Sequence, residues 1–164
     1  MSPRLTRLAI AAAVLLILAV SALTIWRFEQ TLVSGQTVIL ELAPVDPRSI
    51  MQGDYMALAF AVDRALPDDA AQFSYVWLTT ADNAAASLHS LSNDLPTQDA
   101  VIGLLLRQRD GIVSVGPNGF FFAEGSAAVY EAARYGLFKV DSSGKALLTA
   151  LLDENLQLLG ENAR

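Results

Sequence analysis

Leu8 and Ile25 bound an uncharged apolar run, residues 8–25, with Arg4 and Arg7 before it and Trp26 and Arg27 after it. As a helix at about 1.5 Å per residue the run reaches ~27 Å, close to the ~30 Å hydrocarbon core of a bilayer, and Trp26 suits the interface. No polar face interrupts it, which argues against a helix packed on a soluble core. Two readings remain: a retained transmembrane anchor over residues 1–27, in contact with lipid through residues 8–25, or a secretory signal cut near the small-residue site Val20-Ser21-Ala22. Leu23, Ile25 and Trp26 carry the apolar character past that site and favour the anchor. Both early arginines precede the run and all seventeen acidic residues follow it. Retention of positive charge on the cytoplasmic side then places the amino terminus in the cytoplasm and the remainder outside, which in a bacterium is periplasmic or extracellular.

From Phe28 onward, eight Lys and Arg stand against seventeen Asp and Glu, a net charge of −9 for the outer domain. A surface of that sign repels nucleic acid and anionic lipid, because phosphate-backbone binding depends on clustered cations. The nearest approach to a cluster is Arg107 and Arg109, two residues apart with no interleaved aromatic, which reads as a solvated strand face. No nucleic-acid partner is expected. The length after the anchor suits one domain that buries its own core. Cysteine is absent, so thiol catalysis, disulfides and thiolate metal sites are excluded.

The pattern predicts a mainly β (α+β) chain: one amino-terminal transmembrane helix, then a small antiparallel-sheet domain with one short helix. Residues 28–36 read as a juxtamembrane linker with Ser34-Gly35 as breaker, and 37–164 as the domain. Strands are predicted over 37–43, 54–63, 73–81 and 84–91, with Asp82-Asn83 as a tight turn, and a hairpin joins 101–109 to 112–115 through Asp110-Gly111. A further strand is predicted at 120–123, and a second hairpin joins 137–141 to 146–152 with Gly144 at a positive-φ position. Helix chemistry is confined to 126–134, where Ala127, Tyr130 and Ala133 form a stripe ahead of Gly136.

The most distinctive local sequence runs from Pro44 to Tyr55. Asp46 is suited to cap a helical turn, Pro47 to its first position and Gly53 to the left-handed residue that ends it. In the strand that follows, Met56, Leu58, Phe60 and Val62 share one face, and Tyr55, Ala57, Ala59 and Ala61 the other. The bulky face is expected in the core, with the alanine face letting the helix near Tyr130 approach. Gly53-Asp54-Tyr55-Met56-Ala57-Leu58-Ala59-Phe60 resembles the signature of the GDYxxLxY family, membrane-anchored bacterial proteins without an established biochemical function. Val45-Asp46-Pro47-Arg48 and Phe121-Phe122-Ala123-Glu124-Gly125, with Glu131 and Arg134, also resemble the family pattern, so most of the outer domain is covered. Phe60 departs from it by replacing the final tyrosine, which points to a packing position and weakens any catalytic role for that hydroxyl. The resemblance implies an inner-membrane protein with one amino-terminal anchor, whose genes often lie beside those of multispanning membrane proteins.

Chemical readings compete with structural ones. Ser49 ahead of Gly53-Asp54 faintly resembles the serine region of signal peptidases, which needs a neutral lysine as base. Lys145 falls in a predicted turn and Lys139 in a strand without a partner motif. His89 is the sole histidine and has no second imidazole for zinc or a triad; Asp68-Asp69 and Asp153-Glu154 are adjacent acids that point apart on a strand. Gly116-Pro117-Asn118-Gly119 lacks the lysine of a nucleotide loop, and Phe120-Phe121-Phe122 reads as a strand buried on both sides rather than a ligand wall. Glu131 and Arg134, one helical turn apart, suit a surface ion pair. Convergence of Arg48, Asp54, Tyr55, Glu124 and Arg134 where turn meets helix would make a polar pocket or docking surface, whereas Asp54 capping main-chain amides and paired with Arg48 would be architecture. No metal or cofactor is implied. The expected function is that of a non-enzymatic, single-pass accessory protein that binds a protein partner, such as an integral membrane protein. The alternatives are a cell-envelope ligand-binding domain and, more remotely, a serine hydrolase.

Overall fold

The computed structural model describes residues 3–43, 55–80, 85–98, 100–109, 111–122 and 125–161, with the main chain alone at residues 6 and 55. The chain divides into two compact units, residues 1–34 and 35–164. The first is one helix, α1 (Pro3–Ser34), long and apolar enough to cross a membrane and with its apolar window unburied. It continues through most of the stretch expected to be a linker. Nothing from Phe28 to Val33 breaks the i−4 ladder, and propagating an existing helix costs little until Gly35. Hydroxyls on α1 bond back to carbonyls one turn earlier, Thr24 Oγ1 to Val20 O at 2.8 Å and Ser34 Oγ to Gln30 O at 2.8 Å, so they add no unsatisfied group.

The second unit is antiparallel throughout its described strands. One sheet has four strands in the order β1 (Gln36–Glu41), β9 (Tyr135–Val140), β10 (Ala146–Leu152), β11 (Leu158–Glu161). A second has three, β4 (Ser87–Ser92), β3 (Tyr75–Thr79) and β5 (Val101–Leu105); β2 (Tyr55–Ala57) pairs with β8 (Gly119–Phe121), and β6 (Arg107–Arg109) with β7 (Ile112–Ser114). The described residues also include short helices α2 (Ala61–Ala65) and α3 (Ala127–Tyr130) and a 3-10 turn (Ala70–Gln72). Alternation drives burial: Val38 and Leu40 of β1, Val76 and Leu78 of β3, and Phe138 and Val140 of β9 join one core. Main-chain bonds tie the sheets together, Ala86 N to Ile39 O at 2.7 Å and Leu105 N to Gly144 O at 2.7 Å.

Three predicted elements are cut short. The strand predicted over 54–63 is a ladder only at Tyr55–Ala57, followed by an isolated bridge at Phe60, the extended N-cap of α2, although Val62 still reaches the core from the first helical turn. The strand over 101–109 breaks at Leu106, whose amide bonds Ser74 O, so that β5 joins one sheet and β6 another. The helix over 126–134 yields after Tyr130 because Arg134 already serves the sheet, its amide bonding Leu152 O at 2.8 Å and its carbonyl accepting Leu42 N at 2.8 Å. The Asp82-Asn83 turn lies outside the described residues; Gly111, after Asp110, has φ +80° as an Asp-Gly hairpin requires.

The β9–β10 and β10–β11 loops share one design. Asp141 Oδ1 accepts the amides of Ser143 and Lys145 at 2.8 and 3.1 Å, and Asp153 Oδ1 those of Asn155 and Gln157 at 2.8 Å each. Burial pushes the Asp141 carboxyl up, but the Ser143 hydroxyl and amide, the Lys145 amide and the Lys145 charge together hold it below 3.8. The stability it contributes is therefore present above that value and lost as pH falls through the lower folded one. At the fourth loop position Gly144 takes φ +82°, as expected, while its counterpart Leu156 takes φ 61°, where a Cβ is strained. Leu156→Gly is expected to stabilise the domain by roughly 0.5–1 kcal/mol once the greater freedom of the unfolded glycine is subtracted, and so to raise its thermal midpoint; a lowered midpoint would mean that Leu156 packing outweighs its backbone strain.

Candidate functional site

Of the residues singled out from the sequence, Asp46, Arg48, Gly53, Asp54 and Glu124 lie outside the described residues, as does Ser49. Tyr55 is placed by its main chain, opposite Phe121, with Met56 opposite Phe120 and Ala57 opposite Gly119. The chain then turns inward. Leu58 is buried and its amide donates to Asn118 O at 2.9 Å, and Ala43 N bonds Ala59 O at 2.8 Å. Phe60, opposite Leu42, is 1% exposed and meets Phe138 edge-on, with ring centroids 5.4 Å apart at 67°.

Two glycines make room for these rings. A Cβ on Gly116 would lie 2.5 Å from Phe60 Cε2 and 3.1 Å from Phe138 Cζ; one on Gly136 would lie 3.0 Å from Phe138 Cε2. Gly116 was legible only as a turn residue, since the ring that needs its missing Cβ comes from 56 positions earlier.

Asp63 is a further key residue, masked in the sequence by the strand alternation around it. It sits at the third position of α2, and Oδ1 accepts the amide of buried Val115 at 2.8 Å. Burial raises its carboxyl above the ordinary 3.8, and hydrogen bonding to the main chain only partly opposes this.

Glu131 and Arg134 are both exposed and form no ion pair with each other; Arg134 Nη1 donates to Ala133 O at 3.0 Å instead. What converges near α3 is aromatic. Tyr130 lies 5.2 Å from Phe120 and stacks on Phe122 at 4.9 Å and 28°. A Cβ on Gly160 of β11 would meet the Tyr130 ring at 2.9 Å, so Gly160 is the residue that gives this tyrosine its demonstrable close approach. Phe120 is buried but Phe121 is 66% exposed, against the expectation of burial on both sides, because β8 alternates beside its single paired neighbour β2. Val129 and Leu158, one and two positions from Tyr130 and Gly160, are 48% and 57% exposed.

The remaining chemical candidates are dispersed. Lys139 Nζ donates to Thr37 Oγ1 at 2.8 Å, Lys145 is exposed, and exposed His89 is the extra residue of a bulge between β3 and β4. Among the described residues no three His, Asp or Glu side chains gather as a metal site. A polar cleft of about 180 Å³ is lined by Gln36, Thr97, Gln98, Asp141 and Ser142, among others.

A family model described as GDYXXLXY protein matches residues 17–151. The chain belongs to the GDYXXLXY family. No curated protein and no solved structure matches it. The family match begins inside α1 and ends in β10, so it includes the Phe60–Phe138 joint and the Phe120–Tyr130 cluster. Within the described part of the GDYXXLXY motif, Leu58 and Phe60 are core residues and Tyr55 belongs to a ladder.

Two outcomes check this assignment. Gly116→Ala forces a methyl into Phe60 and is expected to destabilise the domain by about 1–3 kcal/mol. Adding Phe60→Leu should recover part of that loss in a denaturant double-mutant cycle, whereas strict additivity would mean the clash is relieved elsewhere. Asp63→Ala should cost about 1–3 kcal/mol by leaving the Val115 amide unpaired, while Asp63→Asn keeps an acceptor. Because the folded carboxyl titrates above the unfolded one, the contribution of Asp63 is full below 3.8 and declines as pH rises through the folded value. The stability of wild type relative to Asp63→Asn, measured by urea unfolding from about pH 3 to about pH 7, should therefore fall with pH.

Proposed function

We propose that this chain is a non-enzymatic, single-pass accessory protein of a bacterial inner membrane, whose periplasmic domain docks an integral membrane protein. The anchor reading draws support from the length and unbroken apolar surface of α1, and the topology from Arg4 and Arg7 ahead of the apolar run with every acidic residue after it. The observation that carries the docking reading is the exposure of Phe121, Val129 and Leu158 on the segments that surround the Phe120–Tyr130–Phe122 cluster. Large apolar side chains left in water beside a rigid aromatic base are the usual anchor of a protein interface. The described part of the family motif supports this division of labour, since Leu58 and Phe60 are committed to the core and leave recognition to the surface.

Benzoylphenylalanine in place of Val129 or Leu158, illuminated in intact cells, should crosslink an integral membrane protein, and the same probe in place of exposed Gln98 should not. Val129→Ser with Leu158→Ser should abolish capture while changing stability by no more than about 0.5 kcal/mol at each exposed site. Equal capture from all three positions, or none from the first two, would defeat the docking reading.

A further inference from the structure

Asn118, the residue before β8, is the one asparagine of the sequence that is followed by glycine. Its carbonyl accepts the Leu58 amide at 2.9 Å, so Leu58 and Asn118 continue the β2–β8 ladder as a hydrogen-bonded pair. Bonded and open pairs alternate in an antiparallel ladder, and at the next pair, Ala57 with Gly119, the amides therefore point away from the partner strand. On the other side of β8 no described strand is paired with it. Among the described residues the Gly119 amide donates to nothing, and the exposed side-chain amide of Asn118 is also without a hydrogen bond. The other described asparagines differ. The amide after Asn93 donates to Ser92 Oγ at 3.1 Å, and Asn93 Oδ1 is held by the Ser74 amide and hydroxyl at 3.0 and 3.2 Å. The amide after Asn155 donates to Asp153 O at 3.1 Å and belongs to a branched residue, Leu156.

We infer that Asn118 is a site of spontaneous deamidation in the folded protein, with the Gly119 nitrogen attacking the Asn118 side-chain carbonyl. The nitrogen gives its proton to hydroxide or a buffer base as the N–Cγ bond forms. The Cγ–NH2 bond then breaks, and the leaving group takes a proton from water and departs as ammonia. The product is a cyclic succinimide. Water opens it at the new N–Cγ bond to give aspartate, or at the original main-chain bond to give isoaspartate, in which the chain runs through Cβ. Water is consumed and ammonia released, with no change of oxidation state. A nitrogen already engaged in a hydrogen bond would have to surrender it before attacking, and a residue with a Cβ would crowd the approach; Gly119 is free of both restraints. The isoaspartate product lengthens the chain by one carbon at the residue whose carbonyl holds the Leu58 amide, and so moves Gly119 and Phe120 out of register with Ala57 and Met56. Phe120 is fully buried against Tyr130, where close packing resists such a shift. Asn118 thus acts as a slow chemical clock that loosens the β2–β8 pair as the protein ages.

Full-length protein in detergent, held at about pH 7 and about pH 9 and sampled over days, is digested and its asparagine peptides are weighed. The Asn118 peptide should gain the mass of NH2 replaced by OH, faster at the higher pH because the attack needs a deprotonated nitrogen. The Asn93 and Asn155 peptides should gain it about tenfold more slowly or less. A protein isoaspartate methyltransferase should label the Asn118 peptide. Asn118→Ser abolishes the gain, and Gly119→Ala, at a residue without positive φ, slows it about tenfold or more. Any Asn-Gly pair reacts once unfolded, so the decisive comparison is with the same protein in guanidinium chloride: the native rate should lie within about tenfold of the unfolded one. A slower native rate, equal gain at Asn93 or Asn155, or indifference to Gly119→Ala would each overturn the inference. The thermal midpoint of aged wild type should fall as isoaspartate accumulates while that of equally aged Asn118→Ser holds; equal midpoints would overturn the clock.

Discussion

The edge-on contact of Phe60 with Phe138 is the joint on which the second unit depends. Phe138 stands on β9, which pairs with both β1 and β10, while Phe60 ends the extended run from β2, bridges Leu42 and starts α2. Burying one such ring is worth about 1.5–3 kcal/mol, and the aromatic geometry adds about 0.5–1.5. The governing constraint is volume. Gly116 and Gly136 are both needed small, so the loop after β7 and the early part of β9 have their closest distance to the core set by two rings. Asp63 secures the same corner by polar means, joining the start of α2 to Val115, the residue before Gly116.

Local rules carried far where they acted on neighbours. The inward face of Met56, Leu58, Phe60 and Val62 is buried as the alternation implied, and Gly144 takes the positive φ its hairpin called for. They failed where a distant partner decided the outcome. Alternation alone cannot tell that Phe60 is a helix N-cap, because Val62 in the first turn of α2 points the same way a strand residue would. Leu106 reads as one more strand residue until Ser74, 32 positions earlier, takes its amide. Gly160 looked unremarkable in a tail of leucines, and its meaning comes from Tyr130, on the far side of two strands in the chain. For the polar constellation the limit is different: Asp46, Arg48, Gly53, Asp54 and Glu124 fall outside the described residues, while Glu131 and Arg134 share a neighbourhood without sharing a bond.

Motif and exposed surface divide between two roles that the sequence interleaves at single-residue spacing. In β8, Phe120 goes to the core and Phe121 is mostly exposed, although the two are chemically identical neighbours; the pleat sends them to opposite faces. The same alternation in β6–β7 puts Gln108 and Val113 on one face of the ribbon and Arg107 and Arg109 on the other. The described part of the signature, with Leu58 and Phe60 in the core, therefore marks how the domain is built.

Net charge alone does not decide what each face of an acidic domain can touch. At physiological ionic strength charges more than about a Debye length apart scarcely sense one another, so net charge sets solubility and long-range repulsion while each face acts by its own composition. Carboxylates spread over the domain discourage indiscriminate association of the exposed Phe121, Val129 and Leu158 with other acidic chains. On the anchored reading, the search in three dimensions would already be over before a docking face engages. Under the docking proposal, contacts of about one or two kcal/mol, negligible for a free protein at micromolar concentration, would then suffice to hold a membrane partner.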